Sequence, residues 1–176
     1  FGYEESYGYL AGDYARDKDA VLASALVCEM ADYYKKQGKN LSEALEDLYE
    51  KYGYFLENVQ AIDLDGIEGK KQIAAIMDAF RADHFDHFAD AHLAEFNDYQ
   101  TQESIDITTG VKTKLTLPVS NVLKFVFDEN SWYAIRPSGT EPKIKVYYSV
   151  KGSSHKDAEN KLAILKQAVN ERLPKF

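Results

Sequence analysis

The sequence predicts an α+β protein: an antiparallel sheet with helices on one face, preceded by a loop and two helices. Two observations carry this prediction. Residues 54–176 run β-α-β, an excursion, then β-β-α, which is the order of an antiparallel sheet with its helices on one face. Residues 1–53 show helical spacing after an opening loop and offer no strand of their own. We therefore divide the chain into two regions, 1–53 and 54–176.

In the first region, residues 1–16 are rich in Tyr and Gly and lack a helical period, so they predict a loop. Residues 19–37 predict a strongly apolar helix, and Asn40 with Glu43 forms a capping box for a second helix that ends at Gly53. The first helix has no sheet here to cover. We expect it to pack on the second region or on another chain, which makes it a candidate homodimer surface.

The second region alternates between strand and helix signals, and its last third gives the clearest hairpins. Its first part comprises a strand over 54–64, a helix with the apolar stripe Ile73, Ile76, Met77 and Phe80, an irregular stretch at 82–92, a strand over 93–99, and a Thr-rich excursion with a short hairpin over 101–118. Its last part comprises strands over 122–127, 132–135 and 144–150, and a helix that starts at Ser154 with Leu162, Leu165, Val169 and Leu173 on one face.

The bulk numbers narrow the classes of function. An apolar share of 45% in 176 residues supports a real core rather than a disordered chain. A formal charge of −8 makes nucleic acid and anionic membranes poor partners. No apolar stretch approaches the ~18–20 residues of a membrane span. Cys28 is the only cysteine, which fits a reducing, cytoplasmic location.

One segment, residues 136–145, concentrates the chemistry in a turn between two apolar strands. The fork of Arg136 can form paired hydrogen bonds with two phosphate oxygens. The hydroxyls of Ser138 and Thr140 donate protons, and Gly139 lets the backbone approach an anion and offer its N–H. The segment therefore predicts a binding loop for a phosphate dianion.

Two segments resemble motifs of the α-D-phosphohexomutase family. The 136–145 loop looks like the phosphate-binding loop of the family's last domain. Residues 2–8, Gly-Tyr-Glu-Glu-Ser-Tyr-Gly, resemble the sugar-binding loop of the third of its four domains. The order and separation match too, and the resemblance is closest to the long bacterial phosphoglucomutases. It implies that 1–53 is the C-terminal remnant of the sugar-binding α/β domain and that 54–176 is the C-terminal phosphate-binding domain.

The resemblance also implies roles for individual residues. Glu4 and Ser6 match the residues that contact adjacent sugar hydroxyls, and Glu5 lies between them as a support. Lys18 matches a lysine near the substrate phosphate, although an ion pair with Asp19 or Glu4 explains it equally well. The residues that match the phosphate-binding set are Arg136, Ser138, Gly139, Thr140 and Lys145.

The implied reaction is a phosphoryl exchange on a phosphosugar substrate through a bisphosphate, glucose 1,6-bisphosphate for a glucose enzyme. The family uses a phosphoserine loop and a Mg²⁺ loop in its first two domains. Neither a Ser-His-Asn-Pro run nor an Asp-Gly-Asp-Gly-Asp run occurs here. We therefore expect no catalytic residue and no metal ligand in this chain, and no turnover by it alone. Since the chain opens at Phe1 rather than Met, we expect a fragment of a longer enzyme.

Other interpretations stay open. The substrate of a family member can be a phosphomannose, phosphopentose or phosphoglucosamine. From different classes, a stand-alone phospholigand-binding module and a dimerising interaction module also fit the sequence. A metal site among the histidines of residues 84–92 is less favoured than a surface linker, because Phe85 and Phe88 interleave with His84 and His87 and no flanking pattern fixes a ligand geometry.

Overall fold

The chain folds as two compact units, Phe1–Tyr52 and Gly53–Phe176. The α+β class predicted from the sequence is confirmed. A computed structural model describes residues 1–4, 7–64, 66–83, 85–139 and 141–173, with the backbone alone at 66 and 67.

The first unit contains a small hairpin and two helices. Strands β1 (Gly2–Tyr3) and β2 (Tyr9–Leu10) pair antiparallel, and helices α1 (Ala20–Lys36) and α2 (Leu41–Tyr52) follow. Our prediction of a loop over residues 1–16 is wrong where these strands pair. Two-residue strands are too short for an alternating pattern to reveal them in a sequence.

Both helices of this unit begin where the sequence indicates. Asp19 Oδ1 accepts hydrogen bonds from the N–H groups of Val21 (2.9 Å) and Leu22 (3.0 Å). The predicted capping box of α2 is confirmed. Glu43 Oε2 accepts from the N–H of Asn40 at 2.8 Å, and Asn40 Oδ1 accepts from the N–H of Glu43 at 2.9 Å. Local contacts therefore fix both helix starts.

The apolar stripe of α1 is exposed. No residue of α1 is buried, and Val21, Met30 and Tyr33 are among its exposed side chains. Helix α2 likewise leaves Leu45 and Leu48 exposed and buries Ala44. The described residues of the first unit therefore form helices without forming a core around them.

The second unit is an antiparallel sheet with two helices. Its strands lie side by side in the order β3-β10-β9-β8-β5-β6-β7, with β4 paired to β5. The first strand of this unit thus pairs with its last one, over all 10 residues of β3. The elements, in chain order, are β3 (Tyr54–Asp63), α3 (Gly66–Ala82), β4 (His87–Phe88), β5 (Ala91–Asp98), β6 (Glu103–Asp106), β7 (Lys112–Lys114), β8 (Leu123–Phe127), β9 (Trp132–Pro137), β10 (Lys143–Gly152) and α4 (His155–Arg172).

One segment of this unit is more ordered than predicted, and another extends the sheet. The stretch 82–92, predicted to be irregular, contains β4 and the start of β5, which pair with each other. The hairpin predicted within 101–118 is confirmed as β6 and β7. It widens the main sheet, since β6 also pairs with β5. Polar, Thr-rich strands at a sheet edge give a weak sequence signal because little of their surface is buried.

Both helices of the second unit pack on one face of the sheet. The stripe predicted for α3 is confirmed, and Leu165 and Val169 of α4 are fully buried beside it. Along β8, every second residue is buried, which directs one face of the sheet to the helices. The buried core comprises Leu64, Ile73, Ile76, Met77, Phe80, Phe88, Ala91, Leu93, Phe96, Leu123, Phe125, Phe127, Tyr133, Ile135, Ile144, Val146, Tyr148, Val150, Ala158, Leu165 and Val169.

Candidate functional site

The predicted phosphate-binding loop connects β9 to β10. Arg136 and Lys145 lie directly opposite each other in this strand pair, so their side chains share one face of the sheet. The neighbouring pair, Ile135 and Val146, is fully buried on the helix side. Arg136 and Lys145 therefore project from the face that the helices leave open. Arg136 is exposed and forms no ion pair with any residue that the structure describes.

Hydrogen bonds within the loop set the path of its backbone. The N–H of Ser138 donates to the carbonyl of Lys143 at 2.8 Å, and the N–H of Lys143 donates to the carbonyl of Glu141 at 2.8 Å. Ser138 Oγ accepts a further bond from the N–H of Glu141 at 3.3 Å. Gly139 is exposed, and a Cβ added there would meet nothing within 4 Å. Its backbone can thus be approached by a ligand. Thr140, the other predicted hydroxyl donor, lies outside the described residues.

The third cation of the loop is held by acids. Lys143 Nζ lies 3.2 Å from Glu141 Oε2 and 3.4 Å from Asp63 Oδ1. Its hydrogen bonds to Glu141 and then to Asp63 raise the pKa of the Lys143 ammonium above its ordinary value. Glu141 is thus the partner of Lys143 rather than of Arg136.

In the first unit, the structure brings Glu4 and Lys18 together. The N–H of Glu4 donates to the carbonyl of Gly8 at 2.9 Å, which closes the predicted sugar-binding turn. Lys18 Nζ lies 3.3 Å from Glu4 Oε2 and 3.0 Å from Asp17 Oδ1. A hydrogen bond to Asp17, with a second one to Glu4, raises the pKa of Lys18.

These contacts bear on the sequence predictions for this unit. The ion pair between Lys18 and Glu4 that the sequence left open is present. Asp19, the other suggested partner, instead caps α1. Glu5 and Ser6, the remaining predicted sugar contacts, lie outside the described residues. A role for Lys18 beside a substrate phosphate stays a prediction.

Two acidic partners were missed in the sequence. Asp63 ends β3, and its contact with Lys143 depends on the pairing of β3 with β10. No local pattern encodes that pairing across the chain. Asp17 is adjacent to Lys18, and an acid beside a lysine is a local signal from which this ion pair could have been predicted.

Other candidate sites receive little support. His87 and His92 lie opposite each other in the β4–β5 pair, with ring centroids 6.0 Å apart. His84 lies outside the described residues. Among the residues that are described, no group of three or more His, Cys, Asp or Glu side chains could hold a metal ion. None of the described helices is long and apolar enough to cross a membrane.

Comparison with known families matches both units. A family model described as "Phosphoglucomutase/phosphomannomutase, alpha/beta/alpha domain III" matches residues 1–52. A second, "Phosphoglucomutase/phosphomannomutase, C-terminal domain", matches residues 56–167. The two matches follow each other along the chain in the order that the resemblance predicted.

The chain is also similar to curated bacterial proteins named phosphoglucomutase. It is 41% identical to that of Staphylococcus saprophyticus over 148 residues, which are 84% of this chain and 27% of the relative. It is 39% identical to that of Staphylococcus aureus over 162 residues, which are 92% of this chain and 29% of the relative. The chain thus spans less than a third of the length of these relatives.

A solved structure shares the fold. The open form of pp63/parafusin, a phosphoglucomutase from Paramecium, superposes with a TM-score of 0.58 at 15% identity. The match covers 96% of this chain and 29% of that one. Together, the family matches and the staphylococcal relatives show that the chain belongs to the phosphoglucomutase/phosphomannomutase family.

Proposed function

We propose that this chain is the sugar- and phosphate-binding part of a phosphoglucomutase that interconverts glucose 1-phosphate and glucose 6-phosphate. The β9–β10 turn carries the proposal, because it sets Arg136 and Lys145 side by side and leaves the backbone of Gly139 open. The names of the staphylococcal relatives favour glucose as the sugar. Phosphomannomutase activity is the alternative, since the family description names both activities.

In the whole enzyme, a phosphoserine would transfer its phosphoryl group to the free hydroxyl of the sugar phosphate. The resulting bisphosphate turns around in the site, and the opposite phosphoryl group returns to the serine. Phosphoryl transfer depends mainly on positioning and on neutralising charge. Residues 136–145 would hold the phosphate that does not react. The binding free energy of this remote group then orients the reacting end.

The proposed phosphate contacts are Arg136, Ser138, Gly139, Thr140 and Lys145. A charge-assisted hydrogen bond from a guanidinium to a phosphate is worth roughly 1.5–3 kcal/mol. Because the intermediate turns around, this loop has to accept either phosphate of the bisphosphate. A loop that reads a dianion by charge and backbone N–H groups, rather than by sugar shape, meets that demand.

The proposed sugar contacts lie in the first unit. Glu4 would accept a hydrogen bond from one sugar hydroxyl, and Ser6 would donate to its neighbour, with Glu5 as a support. The ammonium of Lys18 lies 3.3 Å from the carboxylate of Glu4 and would hold it in place. A vicinal pair of hydroxyls can exchange positions across such an acceptor and donor when the sugar turns.

The chain on its own is proposed to be inactive. The Mg²⁺ that the family resemblance implies is proposed to bind outside this chain, in the loops of the enzyme's first two domains. The cytoplasmic location and the homodimer through residues 19–37 stay predictions, and the exposed apolar side chains of α1 support the latter.

Titration of the ¹⁵N-labelled chain with inorganic phosphate, followed by amide shifts, tests the proposal. We expect the perturbations to centre on Ser138 and Gly139 and to weaken with added salt, because an exposed anion site is screened. Replacing Arg136→Ala should raise the dissociation constant by about 10-fold or more, the equivalent of a lost charge-assisted bond.

Lys112→Ala provides a matched control, because it removes a cation from β7 at the other edge of the sheet. It should leave phosphate affinity unchanged within about 2-fold. Shifts that centre elsewhere, or an Arg136→Ala variant that binds like the unmodified chain, would exclude the proposed site. Turnover of glucose 1-phosphate by the chain alone would contradict the assignment of the catalytic loops to other segments.

A further inference from the structure

The three cations of the phosphate-binding loop differ in their surroundings. Arg136 has no ion-pair partner among the described residues, whereas Lys143 is held between two carboxylates. The side chain of Lys143 is only 25% exposed. An ammonium that is already shared by Asp63 and Glu141 is poorly placed to serve as a direct phosphate ligand.

Backbone pairing accompanies the side-chain contact between Lys143 and Asp63. These two residues lie opposite each other at the end of the β3–β10 pair. One residue further on, the N–H of Leu64 donates to the carbonyl of Pro142 at 2.9 Å. The junction between β3 and α3 therefore holds the returning arm of the loop at two adjacent points, one through a side chain and one through the backbone.

The same arm determines where the anion-binding groups lie. The carbonyl of Lys143 accepts the N–H of Ser138, and the carbonyl of Glu141 accepts the N–H of Lys143. A displacement of Lys143 would therefore move Ser138 and the exposed backbone at Gly139. Binding groups that must be ordered when the ligand arrives lose affinity, and groups that are held beforehand do not.

We propose that Asp63 and Lys143 are positioning residues of the phosphate site, which hold the loop in its binding geometry without touching the phosphate. This inference rests on the proposed function, since it concerns the same anion. It assigns to Asp63, a residue of a different strand from the loop, a share in the affinity for the phosphosugar.

The sign of one substitution separates this proposal from a simple charge effect. Asp63 carries a negative charge near the proposed anion site, so charge alone predicts that its removal strengthens phosphate binding. Positioning predicts the opposite, because Lys143 and the returning arm lose an anchor. We expect Asp63→Ala to weaken the binding of inorganic phosphate to the full 176-residue chain by about 3-fold, the scale of one exposed ion pair.

A double-mutant cycle sharpens the test. Lys143→Met removes the ammonium and keeps most of the stem, and it should weaken phosphate binding by a similar factor. The variant that combines it with Asp63→Ala should be no weaker than the worse single variant, because Lys143→Met already removes the contact that Asp63→Ala breaks. Charge effects alone would instead make the two substitutions cancel. Lys143→Arg keeps the ion pair and should restore the affinity.

The control is Glu103→Gln, which breaks the comparable ion pair with Lys112 across β6 and β7. It should leave phosphate affinity unchanged. Thermal unfolding of each variant shows whether the fold is kept. If Asp63→Ala does not fold, Asp63→Asn decides the matter, because it also removes the carboxylate charge and keeps the opposite signs of the two predictions. Tighter or unchanged binding by Asp63→Ala, or no rescue by Lys143→Arg, would overturn the inference. If the unmodified chain fails to bind phosphate at residues 138 and 139, the proposed function itself fails.

Discussion

Helices α1 and α3 have the same length and similar apolar spacing, and they end up in opposite environments. Each has 17 residues, yet α1 buries none of them, while Ile76, Met77 and Phe80 of α3 are almost fully buried. The difference lies in what each helix has to cover. Helix α3 packs on a seven-strand path of sheet within its own unit, and the first unit offers a hairpin of two-residue strands. An apolar stripe therefore predicts a helix with an apolar face that can be buried. Whether that face is buried depends on the rest of the fold.

The chain's two methionines provide the most direct test of this contrast. Met77 in α3 is 1% exposed and Met30 in α1 is 45% exposed. Met77→Ala should lower the free energy of unfolding of the second unit by about 2–5 kcal/mol, because it removes buried atoms and leaves a cavity. Urea unfolding followed by the fluorescence of Trp132, the only tryptophan, reports on this unit.

Met30→Ala is the matched change in the first unit. It should alter the free energy of opening of α1 by less than about 0.5 kcal/mol, as for surface substitutions generally. Amide hydrogen exchange of residues 20–36 measures it. A cost of 2 kcal/mol or more would show that α1 is covered in solution, and the contrast between the helices would then disappear.

A pair of glycines tests the same contrast in the backbone. A Cβ added at Gly152 would lie 2.4 Å from the N of Ala158, where β10 runs into α4, while one added at Gly2 meets nothing within 4 Å. Gly152→Ala should therefore destabilise the second unit by about 1–3 kcal/mol, the usual cost of overpacking. Gly2→Ala should be neutral. Equal unfolding midpoints for the two variants in thermal scans would show that α4 can shift to make room.

The smallest expected effect is a loss of stability of the second unit at acid pH. Hydrogen bonds from the N–H and hydroxyl of Ser153 lower the pKa of the Asp157 carboxyl from its ordinary value of 3.8. A lowered folded-state pKa means that the unfolded chain binds the proton first as the pH falls. The stabilisation is complete above pH 3.8 and is lost as the pH falls through the lower, folded-state value.

The Asp157→Asn variant removes this titration. The unmodified second unit should lose more stability than the variant as the pH falls below 3.8, the ordinary pKa of the carboxyl, and the two curves should run parallel well above it. Urea unfolding at a series of pH values, again followed by Trp132, measures the difference. Identical slopes in acid would mean that the Ser153 contacts do not persist in solution.

Much of the fold was predictable from local signals. The helix starts at Asp19, Asn40 and Ser154 follow from capping chemistry, which acts within a few residues. The stripe of α3 follows from its period. The pairing of β4 with β5 and the two-residue strands near the N-terminus did not follow, because segments this short bury too little surface to leave a pattern.

The candidate site was predictable only in part, for a related reason. The chemistry of residues 136–145 is contiguous in sequence, so the loop itself could be found. Its supports could not, because Asp63 and Leu64 reach the loop only when two distant strands pair. The first unit shows the same difference. The hydrogen bond from Glu4 to Gly8 closes a turn that is local in sequence, whereas Lys18 contacts Glu4 from further along the chain.

The pairing of β3 with β10 has a consequence for folding during translation. Tyr54 pairs with Gly152, so β3 can join the sheet only after β10 has been synthesised. On a ribosome, β3 and α3 emerge long before that partner exists, and contacts between distant parts of a chain form slowly. The second unit is therefore expected to stay incompletely folded, and in need of protection from aggregation, until β10 has been translated.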